Sequence, residues 1–281
     1  MNKWLLGARP RTLPAAVAPV LVATALARSE WSIQPALLAL FVSLTLQIGV
    51  NYANDYSDGV RGTDADRVGP TRLTASGLAT PRGVKTAAFI CFALSAIAGF
   101  ILALQTSWWL IAVGFIAILA AWGYTGGKSP YGYRGLGEVS VFLFFGVVAT
   151  VGSYFVQTQR LTLQAFIASV PVGALACALL AINNLRDRAK DEVVGKKTLA
   201  VRLGDKGARA LFISLIFSAH LFALATLRPW SALTFLALPL TVKLAREVSS
   251  GVQGMELIPV LAKTGRLQLV FAILFSLGLV L

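Results

Sequence analysis

Acidic side chains are scarce in this chain, with 12 Asp and Glu among 281 residues against 25 Lys and Arg. Histidine occurs once and cysteine twice. Cys91 and Cys177 each fall inside an apolar run, where a thiol acts as a small hydrophobe, so neither a disulfide framework nor a zinc site is implied. His220 stands alone in the middle of another apolar run with no acid near it, and reads as a buried neutral imidazole facing a neighbouring helix. Charged residues of both signs make up only 13% of the chain and hydrophobic residues 57%, with a mean hydropathy of +0.74. That balance excludes an ordinary soluble domain and puts the membrane class first. The N-terminal stretch runs straight into the first apolar segment without an obvious cleavage pattern, so no cleavable signal is expected.

What the chain has instead is a succession of apolar runs near the ~20 residues that cross a bilayer. Nine are expected, over residues 12–28, 33–53, 86–105, 107–124, 139–156, 163–184, 208–227, 229–244 and 266–281, and the whole of 1–281 reads as a single transmembrane domain. The basic residues test that division. With the N-terminus inside, 22 of the 25 Lys and Arg fall in inner segments and only Arg28, Arg160 and Arg228 in outer ones. The formal net charge of +13 is therefore an orientation signal toward the cytoplasmic side of a plasma membrane, and its positions argue against nucleic acid as the partner.

Two polar clusters interrupt this pattern, each after an apolar run on the inner side. In the first, Asn51, Asn54, Asp55 and Asp58 stand at i, i+3, i+4 and i+7, one face of a helix if the helix continues. Asp64, Asp66, Arg67 and Arg72 follow in a glycine-punctuated loop. In the second, Asn183, Asp187 and Asp191 stand at i, i+4 and i+8, and Arg186, Lys196 and Lys197 accompany them. Acids at the mouth of a membrane helix are costly to desolvate and usually carry function. The corresponding acids Asp55 and Asp187 each lie at the inner end of the second span of a four-span group. The fold expected is thus all-α, with two four-helix groups in parallel pseudo-repeat plus a ninth helix, and the two clusters facing each other. Oxygen ligands without histidine or cysteine suit Mg²⁺, which bridges carboxylates to a diphosphate. Arg67, Arg72, Arg186, Lys196 and Lys197 would offset the charge of such a group as it leaves.

Here the residues resemble a known family over nearly the whole chain. Asn51-x2-Asn54-Asp55-Tyr56-x-Asp58-x3-Gly62-x-Asp64 continues into Arg67-x-Gly69-Pro70-x-Arg72-Leu73. Asn183-Asn184-x-Arg186-Asp187-x3-Asp191-x3-Gly195-Lys196-x-Thr198 and Tyr124-Thr125-Gly126-Gly127 with Tyr131-Gly132-Tyr133 complete the match. Together they resemble the UbiA superfamily of intramembrane prenyltransferases, and within it the branch that acts on 1,4-dihydroxy-2-naphthoate in menaquinone synthesis. The resemblance implies Mg²⁺ at Asp55, Asp58, Asp64, Asp187 and Asp191, with Asp55, Asp58, Asp187 and Asp191 essential to catalysis. It implies substrate contacts from Asn51, Asn54, Arg67, Arg72, Tyr124, Lys128, Asn183, Asn184, Arg186 and Lys196. The substrates implied are a polyprenyl diphosphate and an aromatic acceptor, joined with loss of CO₂ to give demethylmenaquinone, with a lateral opening for the lipid tail. Lys128, Arg134 and Arg186 are the cations available to an acceptor carboxylate, and Phe142, Phe144 and Phe145 are candidates for a tunnel wall or for lipid-facing packing. Two other readings stand beside this one. An enzyme of the same superfamily acting on 4-hydroxybenzoate or a tetrapyrrole acid fits the same clusters. A transporter with repeated halves would place its polar groups nearer the bilayer midplane than these acids lie.

Overall fold

The computed structural model describes residues 2–63, 69 and 71–281, and every regular element among them is helical. A short α1 (Lys3–Ala8) leads through Arg9, whose backbone is left-handed, into α2 (Pro14–Ala27). Then come α3 (Ile33–Val60), α4 (Pro81–Gln105) and α5 (Trp109–Gly123). The next helix is composite: α6 (Gly137–Val141), a π-helical stretch Phe142–Val148, and α7 (Ala149–Thr158). It is followed by α8 (Leu163–Val193), α9 (Leu199–Leu224), α10 (Leu238–Ser249) and α11 (Leu257–Val280).

Six of these helices are long and apolar enough to cross a membrane: α3, α4, the α6–α7 composite, α8, α9 and α11 with the turn before it. The segments Lys3–Thr12 and Pro14–Glu30 pass the same test together but meet at a bend of 53°, and α5 is a shorter apolar helix. Residues 229–244 divide into a 3-10 stretch, Pro229–Ala237, and the first half of α10.

The surface agrees with a lipid environment. Along α4, Ile90, Leu94, Ile97, Ile101 and Leu104 recur at helical spacing and are all exposed, while Ala88, Ser95, Ala98 and Leu102 face inward. A stripe of large aliphatics outside and small residues inside inverts the pattern of a soluble helix. The most enclosed helix is α8, whose buried face is built from Ala165, Ala168, Gly173, Ala174, Ala178 and Ala181. Such small residues let neighbouring backbones close in. At the tightest point a Cβ on Gly146 would lie 2.7 Å from the Cα of Gly173, so the π-helical stretch crosses α8 on paired glycines. The two acid-bearing helices have corresponding partners, α3 packing along α4 and α8 along α9.

Several boundaries differ from the sequence-based expectation. Helix α9 starts at Leu199 and bends at Gly204 (φ 70°), and α11 starts at Leu257. The charges that suggested loops there are neutralised within the fold. Arg209 pairs with Asp205 at 2.7 Å, one turn away, and Lys263 pairs with Glu247 of α10 at 2.6 Å.

Candidate active site

Both acid-bearing helices end in the same way, and the ending explains the Asp-x3-Gly spacing shared by the two clusters. At the end of α3 the Thr63 amide donates to the Asp58 carbonyl (3.1 Å) and Gly62 to Gly59 (3.2 Å). At the end of α8 Lys196 donates to Asp191 (2.8 Å) and Gly195 to Glu192 (3.2 Å). This is the paired-bond C-terminal cap in which a left-handed glycine turns the chain out of the helix. Gly62 and Gly195 supply it with φ of 71° and 76°. The last aspartate of each helix, Asp58 or Asp191, therefore occupies the same position relative to its helix end. The chain leaving α8 turns back so that Lys196 reaches across to the other cluster.

There the Lys196 ammonium lies 3.2 Å from Oδ2 of Asp58 and the Arg72 guanidinium 3.8 Å from the same oxygen. The Tyr133 hydroxyl donates to Oδ1 of Asp58, and the Lys196 ammonium sits 4.6 Å from the centroid of the Tyr133 ring. Burial, reinforced by the Asp58 carboxylate, holds the Tyr133 phenol above its ordinary pKa, so it stays a donor. Asp55 is almost fully buried, and its two oxygens accept from the backbone amides of Leu73 (2.8 Å) and Thr74 (2.9 Å). It pins the segment after the first cluster's loop onto α3. On α8, Arg186 forks onto Asp187 (2.8 and 2.7 Å) and also donates to Asn183 (2.8 Å).

Asn54, Asp58, Arg72, Tyr124, Tyr133, Asn183, Asn184, Asp187, Asp191 and Lys196 all line one cavity of ≈ 340 Å³. Asn51 lines it too and anchors α1 to α3, its amide donating to the Ala8 carbonyl (2.9 Å) and to Thr12 (3.2 Å). Asn54 accepts from Thr125 (2.7 Å), and Asn184 donates to Glu138 (3.0 Å). Arg186 is buried behind Asp187 rather than lining this space. Asp64 and Arg67, with Asp66 and Pro70, lie outside the described residues. Lys128 and Arg134 are exposed and do not line the cavity, so the expectation that they meet an acceptor carboxylate finds no support in their placement.

The cavity holds two cations that the sequence reading did not assign. Arg9 lines it beside Thr12, Gln47 and Asn51, and donates to the Asn51 carbonyl (3.4 Å). Arg9 precedes Pro10, which disfavours helix at Arg9 and so marked a break before the first apolar run. Lys190 lines it between Asp187 and Asp191, and its buried ammonium has no hydrogen-bond partner among the described residues. A buried ammonium without a hydrogen-bond partner is costly and suits an anionic guest.

Beyond this polar end the cavity is apolar, walled by Val42, Leu46, Val113, Ala117, Val148 and Val156 among others. Phe144 and Phe145 belong to the wall, whereas Phe142 packs against Gly173 of α8. The composite helix contributes Ser140, Phe144, Val148, Gly152 and Val156, a strict four-residue repeat. On a pure α-helix that repeat would slip by about 160° between Ser140 and Val156. The seven π-helical residues, at roughly 4.4 per turn, take back about 125° of it. The local unwinding keeps one stripe on the cavity along the whole helix.

With this geometry in place, comparison with known proteins identifies the class. A profile of the UbiA prenyltransferase family matches residues 16–250, and the chain belongs to that family. It is 52% identical over 277 residues to a protein of Mycobacterium tuberculosis named 1,4-dihydroxy-2-naphthoate octaprenyltransferase, covering 96% of this chain and 94% of that one. It is 40% identical to the Escherichia coli protein of the same name, covering 99% and 95% of the two chains. Among solved structures, a UbiA homologue from Archaeoglobus fulgidus bound to GPP and Mg²⁺ superposes with a TM-score of 0.72 at 16% identity, over 99% of both chains. At that identity the likeness is one of fold.

Proposed function

We propose that this protein is a Mg²⁺-dependent prenyltransferase that moves a polyprenyl group from its diphosphate to 1,4-dihydroxy-2-naphthoate with release of CO₂. The observation that carries the reading is the single cavity whose one end gathers carboxylates, Lys and Arg while the remainder is apolar. The relatives named for this reaction, at 40% and 52% identity over nearly their full length, support the acceptor.

Arg72, Lys196 and Lys190 take up the negative charge of the departing diphosphate, an electrostatic role that strengthens in a site closed to water. The walls around Phe144, Phe145 and Val148 keep water from the allylic cation left behind. The electron-rich ring attacks that cation at the carbon bearing its carboxylate. Loss of CO₂ returns the bonding electrons to the ring and leaves the quinol form of demethylmenaquinone. Arg9, with Thr12, Gln47 and Asn51, is the cation placed to hold the acceptor carboxylate during attack.

The lining fits a hard cation, because its described residues offer carboxylate and amide oxygens and neither imidazole nor thiolate. Asp58, Asp187 and Asp191, with Asp55 and Asp64 of the same clusters, would hold Mg²⁺, which when bound neutralises diphosphate charge. Among the described residues no three acids are yet gathered as one ligand group. Nine spans complete the proposal: six continuous helices, the bent pair 3–30, α5, and the composite 229–249. They form two four-span groups in parallel plus α11, one domain with its acid clusters on the cytoplasmic side.

The test is an assay in membranes with one labelled polyprenyl diphosphate and a panel of aromatic acceptors. Carboxyl-labelled dihydroxynaphthoate should release one labelled CO₂ per prenyl group, and chelation should abolish turnover until Mg²⁺ is restored. Retention of the label, or acceptance of 4-hydroxybenzoate alone, would refute the acceptor. Full activity without metal would refute the mechanism.

A further inference from the structure

Three helices each present a glycine to the apolar part of the cavity. Gly99 lies six residues before the end of α4, Gly114 five after the start of α5, and Gly152 six before the end of α7. These ends belong to one level of the bundle, because Trp109 at the start of α5 packs on Phe155 of α7 with ring centroids 4.9 Å apart. All three glycines line the cavity, and a Cβ built on any of them would meet nothing within 4 Å. Packing does not require glycine here, in contrast to Gly146 and Gly173, where a Cβ would strike the facing backbone or side chain. Glycine inside a helix costs about 1 kcal/mol relative to alanine, so three at one level with no neighbour to accommodate point to space kept for a guest.

Their depth fits that guest. Tyr124 and Ser140 line the polar end. From Tyr124 to Gly114 is about 15 Å along α5, and from Ser140 to Gly152 about 18 Å along the composite helix, less where it is π-helical. An extended isoprene unit adds four carbon–carbon bonds, about 5 Å, so the collar meets a chain near its third or fourth unit. Beyond it the cavity continues to Ala39, Leu102, Leu110 and Val156.

We propose that Gly99, Gly114 and Gly152 form a collar through which the distal isoprene units pass, and that the absence of side chains at this collar is what lets the protein use long donors. The inference rests on the prenyl-transfer reading and deepens it. It is tested with Gly99→Leu, Gly114→Leu and Gly152→Leu in membranes, each confirmed as folded by a single symmetric peak in detergent gel filtration, against donors of two to eight isoprene units. Each leucine should lower the ratio of kcat/KM for the eight-unit donor to that for the two-unit donor by about tenfold or more, because the displaced units lose their apolar burial. The alanine variants, which leave most of the space open, should shift the ratio far less. An unchanged ratio in all three folded leucine variants would overturn the proposal and show that the chain leaves the cavity before the collar. Wild-type membranes that transfer no donor of any length would instead remove the prenyl-transfer reading, and this inference with it.

Discussion

The Lys196 ammonium stands 3.2 Å from the carboxylate of Asp58, tying the end of the second acid-bearing helix to the end of the first. Both side chains are nearly shielded from water. Removing one partner of such a buried pair leaves the other's charge less well compensated, which costs more than the pair contributes. Lys196→Ala should therefore destabilise the protein by about 1–3 kcal/mol, and Lys196→Ala with Asp58→Asn by clearly less than the two single changes added together. Thermal unfolding in detergent measures both, and strict additivity would refute the coupling.

Gly195 is a sharper probe of the same arrangement because it does not line the cavity. Its φ of 76° is strained for any residue with a side chain. Gly195→Ala should cost about 1 kcal/mol and displace Lys196, so the donor KM should rise while the acceptor KM holds. Equal changes in both constants would show that the turn does not aim the lysine.

Asp55 carries a structural duty in addition to the metal role proposed for it. With both oxygens taking backbone amides of Leu73 and Thr74, Asp55→Ala should free the segment after residue 70 as well as stop turnover. Limited proteolysis in membranes should then cut between residues 61 and 80 faster than in the wild type. Unchanged protection with activity lost would confine Asp55 to the chemistry.

For the acceptor, the cavity favours Arg9 over Lys128. Arg9→Ala should raise the acceptor KM by about tenfold or more, the loss of one charge-assisted contact, and Lys128→Ala should leave it near the wild-type value. The reverse result would move the acceptor to the exposed loop. Steady-state kinetics with the donor saturating separate the two.

Much of this was legible in the chain. The i, i+3, i+4, i+7 spacing of Asn51, Asn54, Asp55 and Asp58 puts them on one face if α3 runs past the apolar segment, and it does, to Val60. His220 is buried and bonded to Thr241 on α10 (2.9 Å), as its isolation suggested. Charge misled at α9 and α11, where Asp205 and Lys263 read as loop residues because their partners one turn or one helix away could not be foreseen. Lys128 was placed by motif position alone, and position along a loop does not say which way a long side chain points. The cavity-facing side of the composite helix was hidden for a different reason. In an almost uniformly apolar segment, a stripe toward an internal space and a stripe toward lipid have the same composition.

That composite helix has a consequence for how the chain can vary in length. A π-helical stretch amounts to one residue more than an α-helix needs over the same rise. Deleting a single residue between Phe142 and Val148 would let the stretch relax to α-helix and would turn everything after it by only about 25°, because the lost residue removes about 100° and the relaxation gives back about 125°. Gly152 and Val156 would then stay on the cavity, whereas the same deletion between Ala149 and Val151 would turn them by about 100° and swing aliphatic neighbours in, with no gain or loss of a helix. In a wall where nearly every side chain is interchangeable by polarity, register rather than residue identity decides what a guest meets.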